Sequence, residues 1–163
     1  MNGSVIRRVV GYVLTLEALL LLLPCIVALY YNEQEGYAYL ASSAICLVLG
    51  GAMSLKKPKS NVFYLKEGCV ATALSWIVLS VFGAIPFVLT GEIPHFVDAL
   101  FETVSGFTTT GASILSDVET LANCTLFWRS FTHWIGGMGV LVFLLTLLPL
   151  TGGSHVNIMK AES

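Results

Sequence analysis

Three consecutive threonines and a glycine, residues 108–111, stand in the run FETVSGFTTTGAS between two strongly apolar segments. Backbone that is not helical leaves carbonyl groups unpaired, so at membrane depth it must line a water- or ion-filled cavity or be buried in protein. Rings of backbone carbonyls replace the hydration shell of K⁺ in potassium-selective filters. Glycine reaches torsions closed to other residues, and β-branched threonine favours extended backbone. The run therefore predicts a cation-binding loop whose ligands are main-chain oxygens.

Such a loop needs an element that carries it into the membrane. The preceding segment opens at Pro94, has acidic residues in its first half, and spaces its apolar residues as one face of a helix. A helix over residues 96–105 is roughly 15 Å long, about half of a hydrocarbon core of roughly 30 Å. We expect it to enter from outside, to end at Gly106, and to point its negative C-terminal end at the cation.

Composition places this loop in an integral membrane protein. The 163 residues are 56% hydrophobic and 11% charged, whereas soluble domains carry about 25% charged residues. Segments of sufficient length and apolarity lie at about 9–30, 37–55, 68–89 and 126–150. The predicted fold is an all-α membrane protein with four transmembrane helices plus one re-entrant pore helix and filter loop. The run KKPKSN divides it into an N-terminal two-helix unit (1–60) and a helix–pore loop–helix repeat (61–163).

The charges predict the orientation. Most Lys and Arg residues fall on one side of the predicted spans, which marks the cytoplasmic side and places both chain ends there: Arg7, Arg8, Lys56, Lys57, Lys59, Lys66 and Lys160. The opposite side carries acids that we expect to raise the local cation concentration: Glu33, Glu35, Glu92, Asp98, Glu102, Asp117 and Glu119. The sequence has no basic patch interleaved with aromatic residues, so nucleic-acid binding is not expected.

The sequence offers no pattern for covalent chemistry. It has no nucleophile paired with a base and no metal triad, and its four cysteines form no CxxC motif. We therefore expect a protein that is not an enzyme and holds no covalent cofactor. Glu17, an acid within the first span, is a functional candidate, but helix packing or pairing with a partner is the favoured interpretation. Two interpretations of Arg129 stay open: it pairs with Glu102 or Asp117 and so braces the pore loop, or it lies unpaired at the membrane interface.

The order of helix, short pore helix, TTTGAS, external loop and LFWRSFTHWIGGMGVLVFLLTLLP resembles the first pore repeat of the Trk/Ktr/HKT potassium transporter superfamily, most of all the bacterial Trk membrane subunit. The resemblance covers nearly the whole chain and is most specific over residues 101–139. In that family four repeats surround one pore, and each contributes one filter loop with a central glycine. The resemblance implies filter residues Thr108, Thr109, Thr110 and Gly111, with K⁺, the transported ion, at the carbonyls of Thr109 and Thr110.

The resemblance also implies partners and a location. These are the remaining three pore repeats of a full-length chain, a second copy in a homodimer, a cytosolic nucleotide-binding regulatory ring, and the lipid of a bacterial plasma (inner) membrane. The chain is then expected to be an N-terminal fragment that supplies one quarter of the K⁺ filter. Two alternatives stay open: a secondary transporter with a re-entrant loop, and a non-conducting membrane interaction subunit. A second, inverted copy would favour the former, and three further copies in one orientation would favour the pore.

Overall fold

The computed structural model describes residues 3–55 and 65–147, and within these ranges the regular structure is helical throughout. The helices, in order, are α1 (Gly3–Leu20), α2 (Leu22–Tyr31), α3 (Gly36–Leu55), α4 (Leu65–Thr90), α5 (Phe96–Phe107) and α6 (Asn123–Leu147). This confirms the all-helical part of the predicted fold. The predicted division at residues 56–61 lies outside the described residues, as do the cytoplasmic markers Lys56, Lys57, Lys59 and Lys160.

Three helical stretches in the described ranges are long and apolar enough to cross a membrane: Gly3–Tyr31, Gly36–Leu55 and Gly68–Thr90. They coincide with the first three predicted spans. Helix α6 occupies most of the fourth, whose final residues, 148–150, lie outside the described residues.

The first span is divided at Leu21, between α1 and α2. Pro24 has no amide proton, and its ring crowds the carbonyl of Leu20 four residues earlier, so a regular helix cannot continue through this turn. The N–H of Leu21 still donates to the carbonyl of Glu17 at 2.9 Å. The hydrogen-bond ladder of α1 therefore continues up to the residue at the break.

Helix α1 packs closely on α3 because both carry a glycine at the contact. A Cβ atom on Gly11 would lie 2.9 Å from the carbonyl oxygen of Gly50, and one on Gly50 would lie 2.8 Å from that of Gly11. Small residues permit such backbone approach in lipid, where packing rather than hydrophobic burial holds helices together. Farther along, the hydroxyl of Ser43 donates to the carbonyl of Ala18 at 2.6 Å.

Glycines also seat α5 against α6, and here one expectation from the sequence is wrong. Helix α5 does not stop at Gly106 but runs on to Phe107. A Cβ atom on Gly106 would collide with the side chain of Thr132, and one on Gly136 would lie 3.0 Å from the Cα of Phe107. Gly106 thus serves close helix contact, and the end of α5 is set by the residues that follow.

Two side-chain hydrogen bonds tie α6 to the rest of the bundle. The indole N–H of Trp128, which is fully buried, donates to the carbonyl of Gly83 at 3.0 Å. Gly83 lies about one turn before Pro86. Because proline has no N–H, Pro86 interrupts the backbone hydrogen bonds of α4. The buried hydroxyl of Tyr39 on α3 lies 3.1 Å from that of Thr125. Helix α6 is thereby held by both α3 and α4.

Candidate functional site

The polar loop begins with a hydrogen-bonded turn that closes α5. The N–H of Thr109 donates to the carbonyl of Gly106 at 2.9 Å, and that of Thr110 donates to Ser105 at 3.0 Å. This pair of bonds forms a Schellman motif, whose left-handed residue is usually glycine. Here that residue is Thr109, with φ of 56°. The expectation of extended threonine backbone is therefore wrong at Thr109, and also at Thr108, where φ is −84° and ψ is 0°.

A β-branched residue in the left-handed region is an outlier. The crowding of its Cβ atom costs roughly 1–2 kcal/mol relative to ordinary torsions. The contacts that surround Thr109 must hold this strain, and such strain clusters at ligand-binding sites. This strain could not be predicted from residue types, because three consecutive threonines look equivalent.

Gly111 lies in the left-handed region that was expected for it, with φ of 76°. A Cβ atom built on Gly111 would meet nothing within 4 Å. The requirement for glycine therefore comes from the torsion and not from a lack of space. Thr110, between two residues of positive φ, does not share that conformation.

The hydroxyl groups of this loop fold back on their own backbone. The hydroxyl of Thr108 donates to the carbonyl of Val104 at 2.8 Å, and that of Thr109 donates to the carbonyl of Thr108 at 2.7 Å. Ser105 donates to the carbonyl of Ala112 at 2.6 Å. Within the described ranges, the carbonyl oxygens of residues 109–111 accept no hydrogen bond. These main-chain oxygens are the ligands that the loop has to offer.

A buried ion pair lies behind the loop. The carboxylate of Glu102 on α5, 1% exposed, accepts a hydrogen bond from Nε of Arg129 on α6 at 3.1 Å. Its other oxygen accepts from the backbone N–H of Ile114 at 2.7 Å and from the hydroxyl of Ser113. One carboxylate thus joins α5, α6 and the returning chain. The alternative partner, Asp117, instead accepts from the N–H of Glu119 at 3.0 Å in a local turn.

Two further acids hold the start of α6. One carboxylate oxygen of Glu33 accepts from the N–H of Asn123 at 2.8 Å, and the other accepts from that of Cys124 at 2.9 Å. Glu92 accepts from the N–H of Ala122 at 2.6 Å. Partial burial would raise the pKa of Glu33, but the N–H groups of Cys124 and Asn123 outweigh it and lower the pKa below its ordinary value. These acids act as helix caps.

These contacts reduce the number of acids on the predicted outer face that are free to attract cations. Glu33, Glu92 and Glu102 point their charges at N–H groups or at an arginine, so they attract passing cations less than free acids would. Sequence reasoning missed the caps, although a signal was present. The first turn of α6 carries no acid of its own, and its orphan N–H groups need acceptors from elsewhere.

The described ranges contain no cluster of three or more His, Cys, Asp or Glu residues that could hold a metal ion. His133, which follows Arg129 by one turn, directs Nδ1 to the carbonyl of Arg129 at 2.9 Å. This contact lies within its own helix.

Comparison with known proteins gives consistent matches. Residues 35–163 match the family model TrkH, described as a cation transport protein. The chain is 35% identical to the Trk system potassium uptake protein TrkG of Escherichia coli K12, covering 99% of this chain and 34% of that protein. It is 37% identical to an uncharacterized cation transporter of Methanocaldococcus jannaschii, covering 90% of this chain and 31% of that protein.

The fold also matches a solved structure. The crystal structure of the potassium transporter TrkH from Vibrio parahaemolyticus superposes with a TM-score of 0.83 at 32% identity, covering 91% of this chain and 32% of that one. The chain spans about a third of the length of the relatives it matches.

Proposed function

This chain belongs to the TrkH family of cation transport proteins, and on that premise we propose that it supplies one quarter of the selectivity filter of a potassium uptake channel or transporter. The relatives named as potassium uptake proteins support K⁺ as the transported ion. They also favour this function over a secondary transporter for another substrate and over a non-conducting interaction subunit.

The observation that carries the proposal is the backbone of residues 109–111. A residue of positive φ reverses the peptide plane relative to its neighbours, so consecutive carbonyls can turn to one side of the chain. Thr109 and Gly111 have positive φ, and Thr110 between them does not. Their carbonyl oxygens are unclaimed within the described ranges, and the loop is exposed. We assign K⁺ to the carbonyls of Thr109 and Thr110, with Thr108 and Gly111 completing this part of the filter.

The Glu102–Arg129 pair is proposed to brace this filter segment. Ser113 and Ile114 anchor the returning end of the loop to Glu102, and α5 anchors the descending end. Both ends are thus fixed to one buried group that lies outside the ion path. A filter must hold its oxygens in place against an ion that gains from pulling them closer.

The larger assembly follows the same proposal. Three further pore repeats would complete the ring, with residues 94–112 entering from the outside and both ends of this segment in the cytoplasm of a bacterial inner membrane. A second copy and a cytosolic nucleotide-binding ring are the proposed partners. One loop offers only a quarter of a ring, so the 163-residue chain alone in liposomes should take up radioactive rubidium no faster than empty vesicles do. Selective, saturable uptake would contradict the one-quarter assignment.

The chain offers a matched pair of glycines for testing the filter. Gly111 and Gly91 have φ of 76° and 79°, and a Cβ atom on either would meet nothing within 4 Å. Gly111→Ser and Gly91→Ser therefore carry the same backbone cost, but only Gly111 lies in the proposed filter. With each substitution made in the full-length transporter, we expect Gly111→Ser, but not Gly91→Ser, to lower the preference for K⁺ over Na⁺. About 1.4 kcal/mol lost from this preference lowers it tenfold.

The measurement is growth of potassium-uptake-deficient cells at low K⁺ with Na⁺ as competitor, together with an immunoblot of membrane abundance. Equal abundance with selective loss in Gly111→Ser alone supports the assignment. Unchanged rescue and unchanged Na⁺ inhibition in Gly111→Ser would remove this loop from the filter.

A further inference from the structure

A second buried acid has a very different environment. The side chain of Glu17 on α1 is 1% exposed, and neither carboxylate oxygen has a hydrogen-bond partner within the described ranges. It lines a cavity of about 360 Å³ together with residues of α4, α5 and α6, among them Ser75, Trp76, Phe107 and Trp128. Most of this lining is aromatic or aliphatic. The structure thus buries a strongly polar group in an apolar chamber without satisfying it.

The carboxyl group lies beside the last turns of α5. A Cβ atom built on Gly83 would lie 3.2 Å from Oε1 of Glu17, 3.0 Å from Cγ2 of Thr103 and 3.3 Å from Cε2 of Phe107. The missing side chain of Gly83 therefore makes the space in which α1, α4 and α5 meet. A carboxylate anion here would lie close to the side chains of Thr103 and Phe107 on α5, with no more than the space of a methyl group between them.

Within the described ranges, the neighbouring helices supply no counter-charge to Glu17. On α3, the buried titratable side chains are Tyr39 and Cys46, and neither can carry a positive charge. On α5 and α6, Glu102 and Arg129 are bonded to each other, and His133 contacts the backbone of its own helix. On α5, Asp98 lies in the first turn, far from the end near Glu17.

On α1 itself, Arg7 and Arg8 precede Glu17 by more than two turns. On α4, the side chains of Lys66 and Glu67 lie outside what the structure describes. An unpaired charge in such surroundings is strongly disfavoured, and the group takes up a proton instead.

We propose that Glu17 is a proton-binding site, held as the neutral acid in the native protein, whose proton keeps α1 seated against α4 and the end of α5. When the proton leaves, the new charge draws water into the cavity and loosens the packing of α1 against α4 and against the side chains of Thr103 and Phe107. The ligand of this site is H⁺. The effect on transport rests on the proposed function of α5 as the pore helix, whereas the proton occupancy of Glu17 does not.

Infrared spectroscopy of the purified protein in lipid vesicles tests proton occupancy directly. At neutral pH, the difference between wild type and Glu17→Gln should contain the C=O band of a protonated carboxyl group. Glu33→Gln, which removes an acid whose pKa, despite partial burial, is lowered by the N–H groups of α6, should instead remove a carboxylate band. A carboxylate band in the Glu17 difference at neutral pH would overturn the proposal, whatever the transport result.

A second measurement tests the consequence for the pore. Rubidium uptake by cells that express this chain together with the three further pore repeats should fall at least tenfold over the alkaline pH range in which the acid band disappears, and uptake with Glu17→Gln in the same assembly should stay level. Equal pH profiles would contradict the link between the proton and the seating of α5. Failure of the proposed function has a different signature, since neither protein would then transport rubidium at any pH while the infrared result stood.

Discussion

Glu102 and Glu17 are both 1% exposed, yet the protein treats them in opposite ways. Glu102 is bonded to Arg129, Ser113 and Ile114, which satisfy both of its oxygens. Within the described ranges, neither carboxylate oxygen of Glu17 has a hydrogen-bond partner, and the group faces an apolar cavity. A carboxylate that is fully paired fixes geometry, because every partner holds it in one position. An unpaired carboxyl group fixes nothing until its protonation state is set, so it is suited to respond to pH.

Removal of the paired carboxylate is expected to have the largest effect. Glu102→Ala leaves Arg129 without its counter-ion and the N–H of Ile114 without an acceptor. Breaking a buried pair from one side costs about 3–5 kcal/mol, and Arg129, at 18% exposed, places the loss near the lower end. Unfolding by denaturant in mixed micelles measures it. Glu35→Ala is the control, and equal stability of the two variants would contradict the bracing of the loop by Glu102.

Filling the gap beside the unpaired carboxyl group should have the next largest effect. Gly83→Ala places a methyl group 3.0–3.3 Å from Glu17, Thr103 and Phe107, and such overpacking costs about 1–3 kcal/mol. Gly51→Ala is the control, since a Cβ atom there meets nothing within 4 Å. The same denaturant titration compares them. If Gly83→Ala proved as stable as Gly51→Ala, the close packing of Glu17, Thr103 and Phe107 around Gly83 would be contradicted.

A third carboxylate, Glu33, sharpens the comparison because its partners from α6 are uncharged: the backbone N–H groups of Asn123 and Cys124 and the side-chain amide of Asn123. Since its pKa is lowered in the folded protein, its stabilising contribution is complete above the ordinary value of 4.5 and is lost as the pH falls below it. Glu33→Gln should therefore cost about 1 kcal/mol at neutral pH, as loss of a helix cap does, and less at acid pH. Melting temperatures of wild type and variant across this range should converge as the pH falls. A constant gap would contradict a charged cap.

The smallest effect is expected at Glu17. Glu17→Gln preserves the shape of the neutral acid, so it should change the free energy of unfolding at neutral pH by less than about 1 kcal/mol, the net contribution of a single hydrogen bond. If Glu17 were instead an anion, the substitution would remove a buried charge and raise stability well beyond that. The denaturant titration used for Glu102→Ala distinguishes the two cases on the same scale.

Much of this fold could be predicted from patterns of a single kind. Long apolar runs predicted the first three spans, since about 20 consecutive apolar residues are typical of a helix that crosses a membrane. The half-length helix before TTTGAS followed from its acids and its apolar face, and Gly111 from the need for positive φ. Each of these features depends on residues close together in the sequence.

Most of the features that were missed depend on residues far apart. Thr109 is the exception, because the Schellman turn that makes it left-handed joins residues 105–110, but no difference in residue type distinguishes Thr109 from Thr108 and Thr110. Gly106 was predicted to end α5, because the residue that requires a glycine there, Thr132, lies on another helix and cannot be identified from the local sequence. The partners of Glu33 and Glu92 lie 90 and 30 residues away. Local propensity cannot predict such contacts, since they exist only once the helices pack.

The caps on α6 also bear on the order in which the chain is made. The chain is synthesised from its N-terminus, so Glu33 and Glu92 leave the ribosome before Asn123 does. The two carboxylates that accept from the first N–H groups of α6 are therefore already part of the chain when α6 is made. Acceptors for the start of α6 thus exist before the helix itself, so its exposed amide groups can be paired as soon as it packs against the earlier helices.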